Sequence, residues 1–239
     1  MTGPAFMDLH CHTGHSYDCL SSLRSVVRAA SDRGLTHLAI TDHDRIDGAL
    51  EARAMAPAGL TVIVGEEIKT RDGDLICLFL HEAIPPGLSA AETIAAARAQ
   101  GGLVGIPHPF DSIRGSMREG SPMASLWSSV DWIETYNARL IGRGNDRAAR
   151  FALDHGLPGV AVSDAHSVIE VAVAYTRFEG DPSTPAGLLA SLAGAQLVPG
   201  RATFVVRGWT PMAKVIQRLR GNGQLRPSPP AAGGPRELQ

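Results

Sequence analysis

Six short apolar runs along this chain each meet histidine or a carboxylate at or just past their ends. Residues 5–9 run into Asp8-Leu9-His10-Cys11-His12, and 36–41 end in Thr41-Asp42-His43-Asp44. Residues 60–65 are followed by Glu66-Glu67, and 103–106 by Pro107-His108-Pro109. The run 130–135 carries Glu134 near its end, and 159–163 leads into Asp164-Ala165-His166. Helical patterns lie between them: 21–33, closed by Gly34; 46–55; a helix to Gln100 opened by the capping-box spacing of Ser89 and Glu92; 145–155; and 184–193. This alternation predicts one α/β domain with a mostly parallel sheet, whose chemistry collects at the carboxyl ends of the strands. Periodicity fits an open doubly wound sheet and a closed barrel equally well.

Smaller features complete the organisation. Segments 67–70 and 75–80 flank Arg71-Asp72-Gly73-Asp74, which reads as a hairpin turn. Residues 203–206 read as a short strand. Met212, Val215, Ile216 and Leu219 share one face of a last helix and are expected to pack inward. The domain is expected to span 1–220, with 221–239 a disordered Pro/Gly-rich tail.

Composition narrows the function classes. With 44% hydrophobic residues the chain is not disordered throughout. No apolar run approaches the ~20 residues of a membrane span, and the N-terminus lacks a secretory pattern. Three cysteines without CxxC spacing fit reduced thiols in a cytoplasm, with Cys11 and Cys19 as packing residues. A net charge of −2 predicts no nucleic-acid partner by itself. Residues 201–226 carry six basic and no acidic side chains, a stretch read as a helix with a solvated Arg face rather than a nucleic-acid contact. The chain has two lysines, Lys69 and Lys214, a scarcity read as compositional bias. No GxGxxG or GxxxxGK[ST] stretch occurs, which weighs against dinucleotide and P-loop chemistry.

Nine histidines are many for this length. His10 and His12 are two apart and point to one face of an extended segment; Asp164 and His166 repeat that geometry. With histidine or carboxylate at further strand ends, the mixture suits Zn, Mn or Fe(II).

The motifs DLHCHT, ITDHD, GEE, IPHP and SDAH, in this order from Asp8 to His166, resemble the PHP (polymerase and histidinol phosphatase) family of metal-dependent phosphoesterases. IPHPFDSIRG and WIETYNAR are similar to its short, stand-alone bacterial branch. The resemblance implies an α/β fold, a distorted seven-stranded β/α barrel, with two or three divalent metals (Mn, Zn or Fe) at its mouth. It implies His10, His12, Asp18, His43, Glu67, His108, Asp164 and His166 as metal ligands. His15 is the rival for Asp18, and Glu66 for the bridging Glu67. Asp42 and Asp44 are expected to support His43. Larger relatives often carry another His on the strand after the bridging Glu; here GDLICLFL supplies none. Asp74 and His81, which flank that strand, are read as out of reach, and Glu134 as the compensating ligand.

The implied reaction is hydrolysis of phosphomonoesters or short nucleotides by a metal-bridging hydroxide, with Asp18, Glu67 and His43 in the catalytic assembly. Asn137 and Arg139 are expected to meet the substrate; Arg143 and Arg114 read as solvated loop residues, and His37 and His155 as structural. An exonuclease acting on oligonucleotides and a non-catalytic scaffold are the competing readings.

Overall fold

The computed structural model describes residues 3–111, 125–202 and 209–225. Nine strands are seen: β1 Ala5–Asp8, β2 His37–Ile40, β3 Thr61–Lys69, β4 Asp74–Leu78, β5 Leu103–Ile106, β6 Trp132–Asn137, β7 Gly159–Val162, β8 Tyr175–Phe178 and β9 Gln196–Val198. They form one sheet in the order β7-β6-β5-β4-β3-β2-β1-β8-β9. The helices are α1 Leu23–Asp32, α2 Asp47–Met55, α3 Ala90–Ala99, α4 Gly144–His155, α5 Pro185–Leu192 and α6 Trp209–Leu219.

Two sequence expectations need correction here. The sheet is mixed rather than mostly parallel: β1-β2-β3 and β5-β6-β7 are parallel triplets, β4 runs antiparallel between them, and β8 and β9 are antiparallel additions beside β1. Among the described residues the strand count is nine rather than seven. Segments 60–65 and 67–70 fuse into the single strand β3, which turns straight back into β4. A connection that short cannot carry the crossover that parallel pairing requires. The short strands β8 and β9, with sequences YTRF and QLV, were not anticipated.

The sheet curls until its ends nearly meet. Beyond β1 and β7 the backbones join: Asp164 N donates to His10 O at 3.0 Å and His12 N to Ala165 O at 2.9 Å. Further down, the Thr176 hydroxyl of β8 accepts from Ala161 N and donates to Ala161 O, each at 2.9 Å. This closure brings the first and last sequence motifs side by side.

Alternate residues divide two cores. Met7, Ile63, Leu78, Trp132, Val162 and Phe178 belong to one buried cluster, which Leu188 and Leu192 of α5 join. Their alternation with the other cluster puts them inside the barrel. Leu38, Val64, Cys77, Val104 and Ile133 pack outward against Val26, Ala49, Ile94 and Ala152 of the helices. A Cβ on Gly105 would lie 2.1 Å from the Trp132 ring, so only glycine lets the indole fill the interior.

The helix caps read from sequence are present. Ser89 and Glu92 form the reciprocal capping box of α3. Gly156 ends α4 at φ 66°. The last helix is another correction: Met212, Val215 and Leu219 are exposed, and its buried residues are Ala213 and Gln217. The Gln217 Nε2 lies 2.7–3.0 Å from the carbonyl oxygens of Gly14, Ser16 and Cys19. That polar latch, not the apolar stripe, decides which side faces the barrel. Asn222, in the segment expected to be a disordered tail, adds bonds to Gly14 O and His15 O. The expected strand at 203–206, Arg114 and residues 226–239 lie outside the described residues. Among the described residues, no helix is long and apolar enough to cross a membrane.

Candidate metal centre

The strand ends assemble a buried polar ring at one end of the barrel. Glu67 is its hub. Its Oε2 lies 3.2 Å from His10 Nε2, 3.2 Å from His12 Nε2 and 3.3 Å from His43 Nδ1, while its Oε1 lies 2.8 Å from His108 Nε2. His43 reaches it because the 43 and 67 backbones form an isolated parallel bridge. Asp18 sits on the opposite side, its Oδ2 3.3 Å from His166 Nε2 and 3.4 Å from His43 Nε2. Asp164 Oδ1 lies 3.4–3.7 Å from His10, His12 and His166.

Three groups have ligand atoms close enough to share a cation: His12, Asp18, His43 and His166; His10, His12 and Glu67; and Glu67, Asp74 and His108. Within each, the atoms lie within 4.8 Å of one another. His12 and Glu67 each belong to two groups, so the sets are contiguous. The backbone is strained where it delivers these side chains: Asp44, His108 and Asp164 have φ of 56°, 27° and 52°.

The donor chemistry fits divalent ions. Glu134 accepts from His108 N and Asn137 Nδ2, both obligate donors, so His10 Nδ1, 2.7 Å away, donates to it as well. The His10 Nε2 lone pair then faces His12 Nε2 at 2.9 Å and the Glu67 carboxylate. Acceptors converging in a buried space need a proton or a metal between them. The protonation directions agree. Burial alone would lower His10, but Glu134, Glu67 and Asp164 hold it well above the ordinary value. Burial likewise opposes His43, which Glu67 and Asp18 raise to about 10. His12 is pushed well down, first by burial and then by His166. Burial would raise Asp18 and Glu67, but the neighbouring imidazoles hold both well below the carboxylate range.

The family model for the PHP domain matches residues 8–141, more than half of the chain. The chain belongs to the PHP family. A model for a PHP-associated segment matches residues 142–196. An uncharacterised protein of Methanocaldococcus jannaschii is 37% identical over 142 residues, 55% of this chain and 81% of that relative. A two-domain protein of Bacteroides vulgatus, containing a predicted PHP-like metal-dependent phosphoesterase, superposes with TM-score 0.70 at 21% identity. The match covers 83% of this chain and 65% of that one. The lesion-specific endonuclease of Pyrococcus furiosus superposes with TM-score 0.62 at 17% identity, over 82% of this chain and 58% of its own. Both structural matches share the fold.

Within this PHP barrel, His10, His12, Asp18, His43, Glu67, His108, Asp164 and His166 all meet at the ring. The rivals do not. His15 turns to Asp47 and Glu51 at 3.2 and 3.4 Å. Glu66 lies on the other face of β3, where its Oε2 accepts from Ile84 N. Asp42 accepts twice from Thr13 at 2.6 Å, and Asp44 accepts from Lys69 N, so both support the loop around His43.

Two further expected site residues, Glu134 and Asn137, are buried beside the ring. Glu134 stands behind His10 rather than in a ligand group, its oxygens taken by His10, His108 and Asn137. Asn137 is fully buried, and its amide donates to Glu134 and Asp164 instead of facing the cavity. Arg139 does line the cavity of ≈ 430 Å³ above the ring. It is 8% exposed, held by Thr210 Oγ1 at 2.7 Å and Glu170 at 3.3 Å, and its Nη1 is buried without a hydrogen-bond partner among the described residues. Arg143 is exposed beside Asp146. The thiols of Cys11 and Cys19 are buried packing groups, Cys19 Sγ donating to His166 O.

Sequence reasoning missed Asp74, Tyr17 and both lysines at the mouth. The sequence pattern puts Asp74 out of reach because the carboxyl ends of strands carry the chemistry of a parallel sheet. On the antiparallel strand β4 the end at the mouth is the amino end, and Asp74 pairs with Lys69 in register.

Proposed function

We propose that this chain is a metal-dependent phosphoesterase that hydrolyses phosphomonoesters or short nucleotides. The observation that carries the reading is three contiguous N/O ligand groups sharing His12 and Glu67, opening into a cavity lined by Arg139, Lys69 and Lys214. His10, His12, Glu67 and Asp164 would hold one ion, Asp18, His43 and His166 with His12 a second, and Glu67, Asp74 and His108 a third. Bound divalent ions supply Lewis acidity at phosphorus and lower the pKa of water towards neutrality. Glu134 orients His10 and sets its tautomer, and Asn137 aligns Glu134 and Asp164. Arg139, anchored by Glu170 and Thr210, presents a planar donor to a phosphate oxygen. Three buried free thiols support a cytoplasmic setting. IPHPFDSIRG and WIETYNAR support placement in the short bacterial branch.

The test is a panel of phosphate esters assayed with Mn, Zn, Fe(II) and Mg after metal content has been verified. Release of phosphate, abolished by chelator and restored by one of these ions, is expected. No turnover across the panel with metal bound would overturn the reading. Mononucleotide release from oligonucleotides in preference to monoester hydrolysis would favour an exonuclease instead.

A further inference from the structure

The only two lysines of the chain, Lys69 and Lys214, converge on the mouth of the ligand ring from distant points of the sequence. Lys69 ends β3, and Lys214 stands on α6. With Tyr17 they form the wall between two spaces. Inside is the ≈ 430 Å³ cavity over the metal ligands; outside is a groove of ≈ 540 Å³ that Arg218 also lines. Among the described residues, that outer groove is bordered by three cations and by no carboxylate.

The three cations differ in how far they are paired. Lys214 Nζ lies 4.0 Å from Asp18 Oδ2 and 5.3 Å from the Tyr17 ring centroid, a loose ion pair that leaves its protons available. Arg218, one turn further along, is exposed and has no ion pair among the described residues. Lys69 Nζ is bound at 2.9 Å to Asp74. The helix carrying Lys214 and Arg218 is latched through Gln217 to the loop that carries Tyr17 and Asp18. The backbone that carries Lys214 and Arg218 is therefore fixed in register with the ring.

We propose that the outer groove is a second anion subsite, recognising a negatively charged group on the leaving part of the substrate. Lys214 and Arg218 are its specificity-determining residues. This rests on the phosphoesterase reading and narrows it to esters whose alcohol portion carries a further phosphate or carboxylate. A neutral alcohol would leave the groove's charges facing water alone.

Three esters of one scaffold separate the cases in the metal-loaded full chain: phenyl phosphate, 4-carboxyphenyl phosphate and 1,4-phenylene bisphosphate. At low salt, kcat/KM for at least one charged ester should exceed that for phenyl phosphate by about tenfold, as expected for one charge-assisted contact. Preference for both charged esters marks a general anion site; preference for the bisphosphate alone marks a phosphate site. The Lys214→Gln/Arg218→Gln double variant should reduce the preference to about twofold, mainly through KM, whereas Arg150→Gln on exposed α4 should keep it. Equal rates on all three esters, or a preference that survives the double variant, would overturn the subsite. Calorimetric binding of the same three compounds reads the subsite even without turnover. If nothing is hydrolysed but the charged compounds bind more tightly to wild type than to the double variant, the phosphoesterase reading fails and the groove stands. Equal binding by wild type sinks the groove itself.

Discussion

The two ends of the barrel bury histidine in opposite ways. At the amino end of β2, His37 has a hydroxyl for each ring nitrogen: Thr36 Oγ1 at 2.8 Å and Ser183 Oγ at 2.9 Å. Each ring nitrogen thus has a hydroxyl neighbour, and the exposed Asp181 carboxylate stands 3.6 Å from Nε2. At the mouth, His10 and His12 point Nε2 at each other across 2.9 Å, with Glu67 3.2 Å from both. All three histidines are buried, His37 slightly less than the other two, and they differ in complementarity. His37 finds hydroxyl partners, whereas His10 and His12 are held where acceptors crowd together.

The strongest way to break this contrast is His12→Ala, since His12 joins two ligand groups. Metal content measured by mass spectrometry should fall by at least one ion per chain. Activity should drop by more than about a hundredfold, beyond the loss seen when a supporting residue is removed. Activity retained in metal-free protein would refute it. Asp74→Asn tests whether the contrast extends to β4. About one ion per chain should be lost while the other two groups stay loaded, with activity reduced by roughly ten- to a hundredfold. Unchanged stoichiometry would return Asp74 to a mere partner of Lys69. Glu134→Gln leaves the ligands in place but removes the acceptor that sets the His10 tautomer. Metal affinity should weaken about tenfold, read by competition with a chelator. An unchanged affinity would show that Glu134 does not orient the ring.

The smallest effect lies at the other end. Burial lowers the His37 pKa, with Asp181 opposing it. The folded state therefore takes up fewer protons than the unfolded chain as pH falls. The stability contributed by keeping His37 neutral is present above its ordinary pKa and is lost as pH falls through the folded value. His37→Gln should flatten the decline of Tm between pH 7 and 5, by on the order of 2 °C. A wild-type decline reproduced in full by the variant would remove His37 from the account.

How much of this was legible beforehand depended on locality. Histidine pairs two apart, such as His10 and His12, declare a shared face because strand geometry is local. Glu67 could be told from Glu66 only by family resemblance, since which side of β3 faces the ring depends on pairing. The reversal of β4 hid Asp74. The side of α6 that faces the barrel was misjudged from Met212, Val215 and Leu219, because periodicity identifies a stripe and not the direction in which it points. The lysines looked like compositional noise, since residues 69 and 214 have no sequence relation.

What the chain alone determined was the set of parts: an α/β rhythm and strand ends loaded with imidazole and carboxylate, properties of short segments and of side-chain period. What only the tertiary structure decided was which parts share a point in space. Closure of β1 on β7, the reversal of β4 and the Gln217 latch place Asp164 beside His10, Asp74 beside His108, and Lys214 over Asp18. Those juxtapositions arise from backbone hydrogen bonds and buried amides between residues far apart along the chain, whose pairing no local pattern encodes.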